Sequence, residues 1–171
     1  MSRQIKNIIA ITVSLICISL INVAGQNIEI EIRGMNAFTF ILIIAVLLQV
    51  IFFIPSFLLK TEKYYDLVGS LTYVTTVSLA YFAVENKTMI DSIIYFYVMV
   101  WALRLGIYLF RRVRNDGKDV RFEKAKRHFF WFLQYWMGQA LWVSLTACAA
   151  IIAILSPEED TLPVLAMVGM A

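Results

Sequence analysis

The chain has 171 residues, of which 61% are hydrophobic and only 16% are charged, and its formal net charge is +3. A soluble domain has about 45–50% apolar and about 25% charged residues, so the composition excludes both a soluble domain and a disordered chain. With only two cysteines, it also excludes a disulfide-stapled secreted domain. What remains is an integral membrane protein.

Five apolar segments follow one another along the chain. They cover residues 8–24, 37–59, 67–84, 93–110 and 129–155. Each is about 17–27 residues long, which is enough for a helix to cross a hydrocarbon core of about 30 Å. None alternates as the strands of a membrane β-barrel do. The sequence therefore predicts an all-α fold, a polytopic transmembrane helical bundle with five complete spans.

A sixth apolar segment begins at Thr161 and has only eleven residues up to Ala171, where the sequence ends. As a helix it would rise about 16 Å, which is too short to cross the membrane. We therefore expect a truncated sixth span. We divide the chain into an N-terminal helix with its following loop at 1–35 and a membrane domain at 36–171.

The first apolar segment has two interpretations. Arg3 and Lys6 precede it, and the small residues at 23–25 would suit cleavage of a signal peptide. The segment is longer than the apolar core of a usual signal peptide, however, and another span follows it. These features favour a retained signal-anchor-like helix.

Lysine and arginine are distributed unevenly between the loops. Twelve of them fall in the N-terminus and in the second and fourth loops, and two fall in the first and third loops. Positive residues favour the cytoplasmic side, which predicts a cytoplasmic N-terminus and a cytoplasmic 111–128 loop. The membrane would be the inner membrane of a bacterium or the endoplasmic reticulum of a eukaryote.

The 111–128 loop contains eight of these basic residues. Such a band orients the protein and attracts anionic lipid headgroups, and it is not a nucleic-acid site. A further role in binding a phosphorylated ligand remains an alternative. Membrane lipids are therefore the expected partners, and nucleic acid is not.

The sequence contains no pattern for a metal or haem site. Cys17 and Cys148 lie in different apolar segments without a paired spacing, and His128 is the only histidine. Paired histidine ligands are therefore impossible within the chain. We expect neither a metal nor haem.

Polar residues inside the apolar segments are candidates for function, because each is costly in hydrocarbon. Asp66, immediately before the third segment, shares one helical face with Ser70 and Tyr73, and it also suits a helix N-cap. The hydroxyl groups of this segment either bond to neighbouring helices or line a substrate site. Arg104 either extends to the headgroups or points inward to a carboxylate or ligand.

The fifth apolar segment contains Gln139 and Trp142. The two residues differ by three positions, so they share a helical face, and a buried amide there needs an internal partner. We therefore take six residues as candidates that line a substrate site. They are Asp66, Ser70, Tyr73, Arg104, Gln139 and Trp142.

Three stretches of sequence together resemble a known group of proteins. They are DLVGSLTY at 66–73, WALRLGIYLF at 101–110 running into GKDVRF at 117–122, and QALWV at 139–143. Their order and spacing resemble a polytopic membrane family related to steroid 5-alpha-reductases (3-oxo-5-alpha-steroid 4-dehydrogenase-like). The resemblance covers residues 36–155 and implies NADPH-dependent reduction of a carbon–carbon double bond in a lipid or steroid-like substrate.

The sequence departs from this family at its C-terminal side. Members continue into a stretch with an Arg-His-Pro-Asn-Tyr type of motif that carries most dinucleotide contacts, whereas here His128 is followed by Phe129. We therefore assign neither catalytic nor cofactor residues, and we expect a truncated and inactive form of a reductase. The alternative is a non-catalytic multi-pass protein, a lipid-binding or scaffold bundle.

Overall fold

The computed structural model describes residues 2–116 and 120–156, and within them the prediction of an all-α fold is confirmed. Five α-helices follow in chain order: α1 (Arg3–Val23), α2 (Ala37–Leu58), α3 (Tyr65–Ala83), α4 (Met89–Asp116) and α5 (Phe129–Leu155). The strands β1 (Glu31–Ile32) and β2 (Met35–Asn36) form an antiparallel hairpin between α1 and α2. Two short 3-10 helices, Val120–Phe122 and Ala125–Arg127, connect α4 to α5. The predicted sixth segment lies outside the described residues.

Four of the described helices are long and apolar enough to cross a membrane. They are α1, α2, α4 as far as Arg112, and α5. Helix α3 has 19 residues and rises about 28 Å, but no stretch of it is as apolar as the most apolar stretches of the other four. These four helices are consistent with a multi-pass membrane protein, while the fifth span remains a prediction.

The helices run in alternating directions, so that one end of the bundle gathers the basic residues. There the start of α1 meets the start of α5, since the Arg3 guanidinium lies 4.4 Å from the ring centroid of Trp131. The end of α2 joins them, with the rings of Phe57 and Phe129 5.2 Å apart. We refer to this end, which carries Arg3, Arg112 and the stretch 121–128, as the basic end. Its cytoplasmic location remains a prediction.

Side-chain caps help to set where α2 and α4 begin. The Asn36 side chain accepts a hydrogen bond of 3.0 Å from the backbone N–H of Thr39 and so caps α2. At the start of α4, the Thr88 N–H donates to the Asp91 carboxylate at 2.8 Å, and the Asp91 N–H donates to the Thr88 hydroxyl at 3.1 Å. This reciprocal pair starts α4 four residues before the predicted apolar segment.

Aromatic side chains fill the bundle at the basic end. Phe122, from the first 3-10 helix, is 1% exposed and packs on the ring of Tyr65 at a centroid distance of 4.8 Å. Trp136 lies in the same cluster and meets Tyr65 edge-on at 5.2 Å. The connection between α4 and α5 is thereby anchored to the bundle, which positions its basic residues next to α3.

Candidate functional site

Ser70 joins α3 to α4. Its hydroxyl donates a hydrogen bond of 2.6 Å to the carbonyl oxygen of Ala102 on α4. One turn further along α4, Gly106 faces the same hydroxyl, and a Cβ atom at Gly106 would overlap it. Ser70 is buried and its one hydrogen is already used. Of the two predicted roles for this hydroxyl, the structure favours helix packing.

Tyr73 joins α3 to α5 in a similar way. Its hydroxyl oxygen lies 2.5 Å from the hydroxyl oxygen of Thr146. Thr146 donates its own hydrogen to the carbonyl oxygen of Trp142 at 2.7 Å, so Tyr73 is the donor in the shared bond. The ring of Tyr73 also meets Trp101 of α4 edge-on at 4.9 Å. Tyr73 therefore donates its hydroxyl hydrogen to a side chain of α5.

Two glutamines reach the same face of α3. Gln49 of α2 donates from Nε2 to the Thr72 hydroxyl at 2.9 Å, because the Thr72 hydrogen is itself donated to the Val68 carbonyl. Gln139 of α5 lies against Gly69, where a Cβ atom would overlap its amide nitrogen. The Oε1 atoms of both glutamines are buried and have no hydrogen-bond partner among the described residues. Gly69 and Thr72 are three residues apart, so the two glutamines contact α3 on one face.

Helix α5 adds a buried donor to this region. The indole nitrogen of Trp136 has no partner among the described residues, and the side chain is fully buried. Its ring lies 6.4 Å from that of Phe53, which is one turn from Gln49 on α2. We refer to Gln49, Trp136 and Gln139 as the polar junction. Buried polar groups are nearly always hydrogen-bonded, so unpaired ones mark a region where a ligand would gain affinity.

Asp66 lies at the basic end and is paired with arginines. Its carboxylate oxygens lie 3.4 Å from a guanidinium nitrogen of Arg112 and 4.0 Å from one of Arg121. The N-cap position of α3 is Tyr64, so the carboxylate lies in the first turn and is not the cap that the sequence suggested. A carboxylate in the first turn still interacts favourably with the positive end of the helix dipole. These pairs link the start of α3 to the end of α4 and to the α4–α5 connection.

Arg104 and Trp142 lie on the outer surface of the bundle. Trp142 is 63% exposed, and Arg104 is also exposed. Arg104 lines a surface notch of about 210 Å³ with Trp101, Leu105 and Tyr108, and it makes no ion pair with a described residue. Its position agrees with the alternative in which it extends along the surface towards the headgroups.

The six predicted residues thus do not form one pocket. Ser70 and Tyr73 of α3 point to neighbouring helices, and Gln139 of α5 lies against α3. Asp66 lies at the basic end of α3, and the remaining two residues face outward. Of the six, Gln139 is the one with a buried polar atom that lacks a partner. Gln49 was outside the predicted set, although an amide in the middle of a strongly apolar segment is itself a signal.

Two larger cavities lie beside α1. A groove of about 370 Å³ separates α1 from α2, and its wall is apolar except near one end, where Thr39 donates a hydrogen bond of 2.9 Å to Asn22. The second cavity, of about 510 Å³, lies at the basic end between the starts of α1 and α5. Neither includes a residue of the polar junction.

The cofactor implied by the sequence is NADPH, which needs cations for its phosphates beside a pocket for its nicotinamide. The basic end supplies cations, but Asp66 pairs with two of its arginines, and Lys126 pairs with Glu62 at 2.6 Å. None of the cavities described above connects these cations with the polar junction. The described residues therefore do not fit a complete NADPH site, and no residue is assigned to it.

No cluster of three His, Cys, Asp or Glu side chains within residues 2–116 and 120–156 has the geometry of a metal site.

Comparison with known proteins gives one match. The profile of a family described as a protein of unknown function, DUF1295, matches residues 52–171. No curated protein and no solved structure matches the chain. The matched region starts within α2 and includes all three stretches that carry the resemblance described above.

Proposed function

The chain belongs to the DUF1295 family, and from this membership we propose that it is a membrane-embedded reductase of a carbon–carbon double bond in a lipid or steroid-like substrate. The observation that carries the proposal is the family match, because it covers the segments that resemble steroid 5-alpha-reductases as one continuous region. NADPH is the proposed reductant on the strength of that resemblance alone. The membrane-spanning helices support a substrate that partitions into the bilayer.

Within this proposal, the polar junction recognises the polar group of the substrate. The free Oε1 atoms of Gln49 and Gln139 accept hydrogen bonds, and the indole N–H of Trp136 donates one. A substrate with a hydroxyl or carbonyl group would satisfy these atoms, each of which is costly when left unpaired in a low-dielectric interior. Gln139 is half-buried and lies nearest the surface of the three, so it is the proposed point of entry.

The test uses the purified full chain in lipid nanodiscs, with NADPH and a panel of enones that includes 3-oxo-steroids with a conjugated double bond. An active reductase would show enone-dependent loss of NADPH absorbance and a product heavier by two hydrogens, whereas the inactive form expected from the sequence would show neither. Gln139→Leu is expected to raise KM about tenfold or more, because it removes a polar contact to the substrate. Gln134→Leu, a second amide on α5, is the matched control. Absence of turnover with every enone, together with absence of NADPH binding, would refute the enzyme.

A second candidate function is non-catalytic lipid binding. The groove between α1 and α2 favours it, since an apolar wall with a hydroxyl–amide pair near one end suits a lipid chain and its polar linkage. This candidate predicts that lipid copurifies in the groove and that no enone is reduced. The same nanodisc assay therefore separates the two functions.

A further inference from the structure

The cavity between the starts of α1 and α5 has a chemical character that the proposed reductase does not use. Its wall consists of Arg3, Gln4 and Asn7 from α1 and the stretch 127–131 that begins α5. No carboxylate is among these residues. Three of them are cationic or can become so, namely Arg3, Arg127 and His128, and none forms an ion pair with a described residue.

The backbone adds to this positive character. Both α1 and α5 begin at the cavity, so the positive ends of two long helix dipoles point towards it. The residue at the N-cap of α5, His128, makes no side-chain capping bond. The first amide groups of α5 therefore remain available to an anion, as at other helix N-termini that bind phosphate.

Asn7 provides a separate indication of a ligand. Asn7 is only 8% exposed, lies in the wall of the cavity and makes no hydrogen bond to any described residue. Its amide atoms are not among the enclosed polar atoms of the bundle, so they are open to the cavity and can bond to a ligand there. The family match does not account for a polar residue at this position, because α1 precedes the matched region 52–171. The aromatic packing at the basic end does not account for it either.

The residues around the cavity favour a lipid as its ligand. Trp131 lies beneath the Arg3 guanidinium and stacks on His128 at 5.9 Å, an arrangement typical of the headgroup level of a membrane. Next to the cavity, Ile5 and Phe129 are 49% and 46% exposed. An anchored phosphate would therefore leave acyl chains beside apolar side chains.

We propose that this cavity binds the phosphate of an anionic phospholipid, with Arg3, Arg127 and Asn7 as its ligands. Because arginine binds phosphate through paired N–H donors, the two guanidinium groups supply most of the affinity. The helix α1 thereby gains a role of its own: it completes a headgroup site with the start of α5. The site does not depend on the proposed reductase activity.

The test measures lipid binding to the full-length protein by native mass spectrometry. We expect phosphatidylglycerol to bind more tightly than phosphatidylcholine. Arg3→Gln/Arg127→Gln is expected to weaken phosphatidylglycerol binding about thirtyfold and to abolish the preference. Lys6→Gln/Lys124→Gln removes two charges from the same regions outside the cavity, and it should keep the preference.

Two outcomes would overturn the proposal. Equal losses in the two double variants would mean that only the overall charge of the basic end matters. Displacement of the lipid by millimolar inorganic phosphate or by NADPH would assign the cavity to a soluble phosphorylated ligand. The binding measurement needs no enzymatic turnover, so it stands whether or not the reductase is found.

A second measurement uses wild-type protein and does not depend on how the variants fold. A photoactivatable phosphatidylglycerol with its reactive group next to the phosphate is expected to crosslink to peptides from both 3–9 and 127–131. Crosslinks confined to other peptides would refute the site.

Discussion

Replacing Gly106 by alanine tests how closely α3 and α4 approach. A Cβ atom at this position would overlap the Ser70 hydroxyl oxygen and would lie 2.7 Å from the Ser70 Cβ, far inside the optimal separation of about 3.5–4.0 Å. Ser70 cannot rotate away without losing its hydrogen bond of 2.6 Å to Ala102. The substitution must therefore either separate the two helices or leave a buried hydroxyl unpaired.

The expected loss in the free energy of unfolding is about 1–2.5 kcal/mol. Overpacking costs about 1–3 kcal/mol, and a lost interhelical hydrogen bond in a membrane adds about 0.6 kcal/mol. The higher helix propensity of alanine offsets up to about 1 kcal/mol of this loss in the free energy of unfolding. Gly138→Ala on α5 is the matched control, because no heavy atom lies within 4 Å of the Cβ position there. It should leave stability unchanged or raise it by up to about 1 kcal/mol.

The assay is unfolding in mixed micelles of dodecyl maltoside and SDS, followed by far-UV circular dichroism. In the double variant Ser70→Gly/Gly106→Ala both colliding atoms of Ser70 are gone, so the two losses should be non-additive by at least about 1 kcal/mol. Two results would refute the reasoning: Gly106→Ala unfolding at the same SDS fraction as the wild type, or strictly additive losses.

Three further predictions concern α3 and its neighbours. In sealed vesicles Lys63→Cys and Lys87→Cys should react with an impermeant maleimide from opposite sides, and labelling from one side only would remove α3 as a span. Gln49→Leu should change the free energy of unfolding by less than about 1 kcal/mol, because it removes the unpaired Oε1 together with the Nε2 donor. Gln49→Glu should cost about 2.5–3.5 kcal/mol. Equal effects of the two variants in the SDS assay would contradict the burial of this amide. Glu62→Gln should lose about 1–3 kcal/mol in the same assay, and Glu62→Gln/Lys126→Met should lose less, since the Lys126 ammonium is then not left without its carboxylate. A double variant less stable than the single one would show that the 2.6 Å pair is not the cause.

The apolar segments predicted the bounds of a helix well where the helix ends together with its apolar residues. The predicted 37–59 and 129–155 correspond to Ala37–Leu58 and Phe129–Leu155. Helix α4 differs, because it starts at Met89 and continues to Asp116. Its polar ends lie outside the apolar segment, and its start is set by the reciprocal hydrogen bonds of Thr88 and Asp91. The spacing of those two residues was a readable capping signal that hydropathy overlooks.

The candidate site was harder to predict, because its polar residues depend on partners from other helices. Periodicity placed Ser70 and Tyr73 on one face of α3, but only the packing shows that their hydrogens are donated to α4 and α5. The same periodicity paired Gln139 with Trp142, yet Trp142 turns outward. A single sequence identifies which residues are costly in a membrane; it does not identify which of them have a partner.

The polarity of α3 follows from its position. It packs against α2, α4 and α5, so less of its surface has to face lipid than in a peripheral helix. Its hydroxyls are also satisfied within the bundle: Ser70 bonds to α4, Tyr73 to α5, and Thr72 accepts from Gln49 of α2. Each such bond lowers the cost of a polar residue in hydrocarbon. A helix that falls short of the hydropathy of its neighbours can therefore still cross the membrane, provided that those neighbours surround it, and the labelling of Lys63→Cys and Lys87→Cys tests this directly.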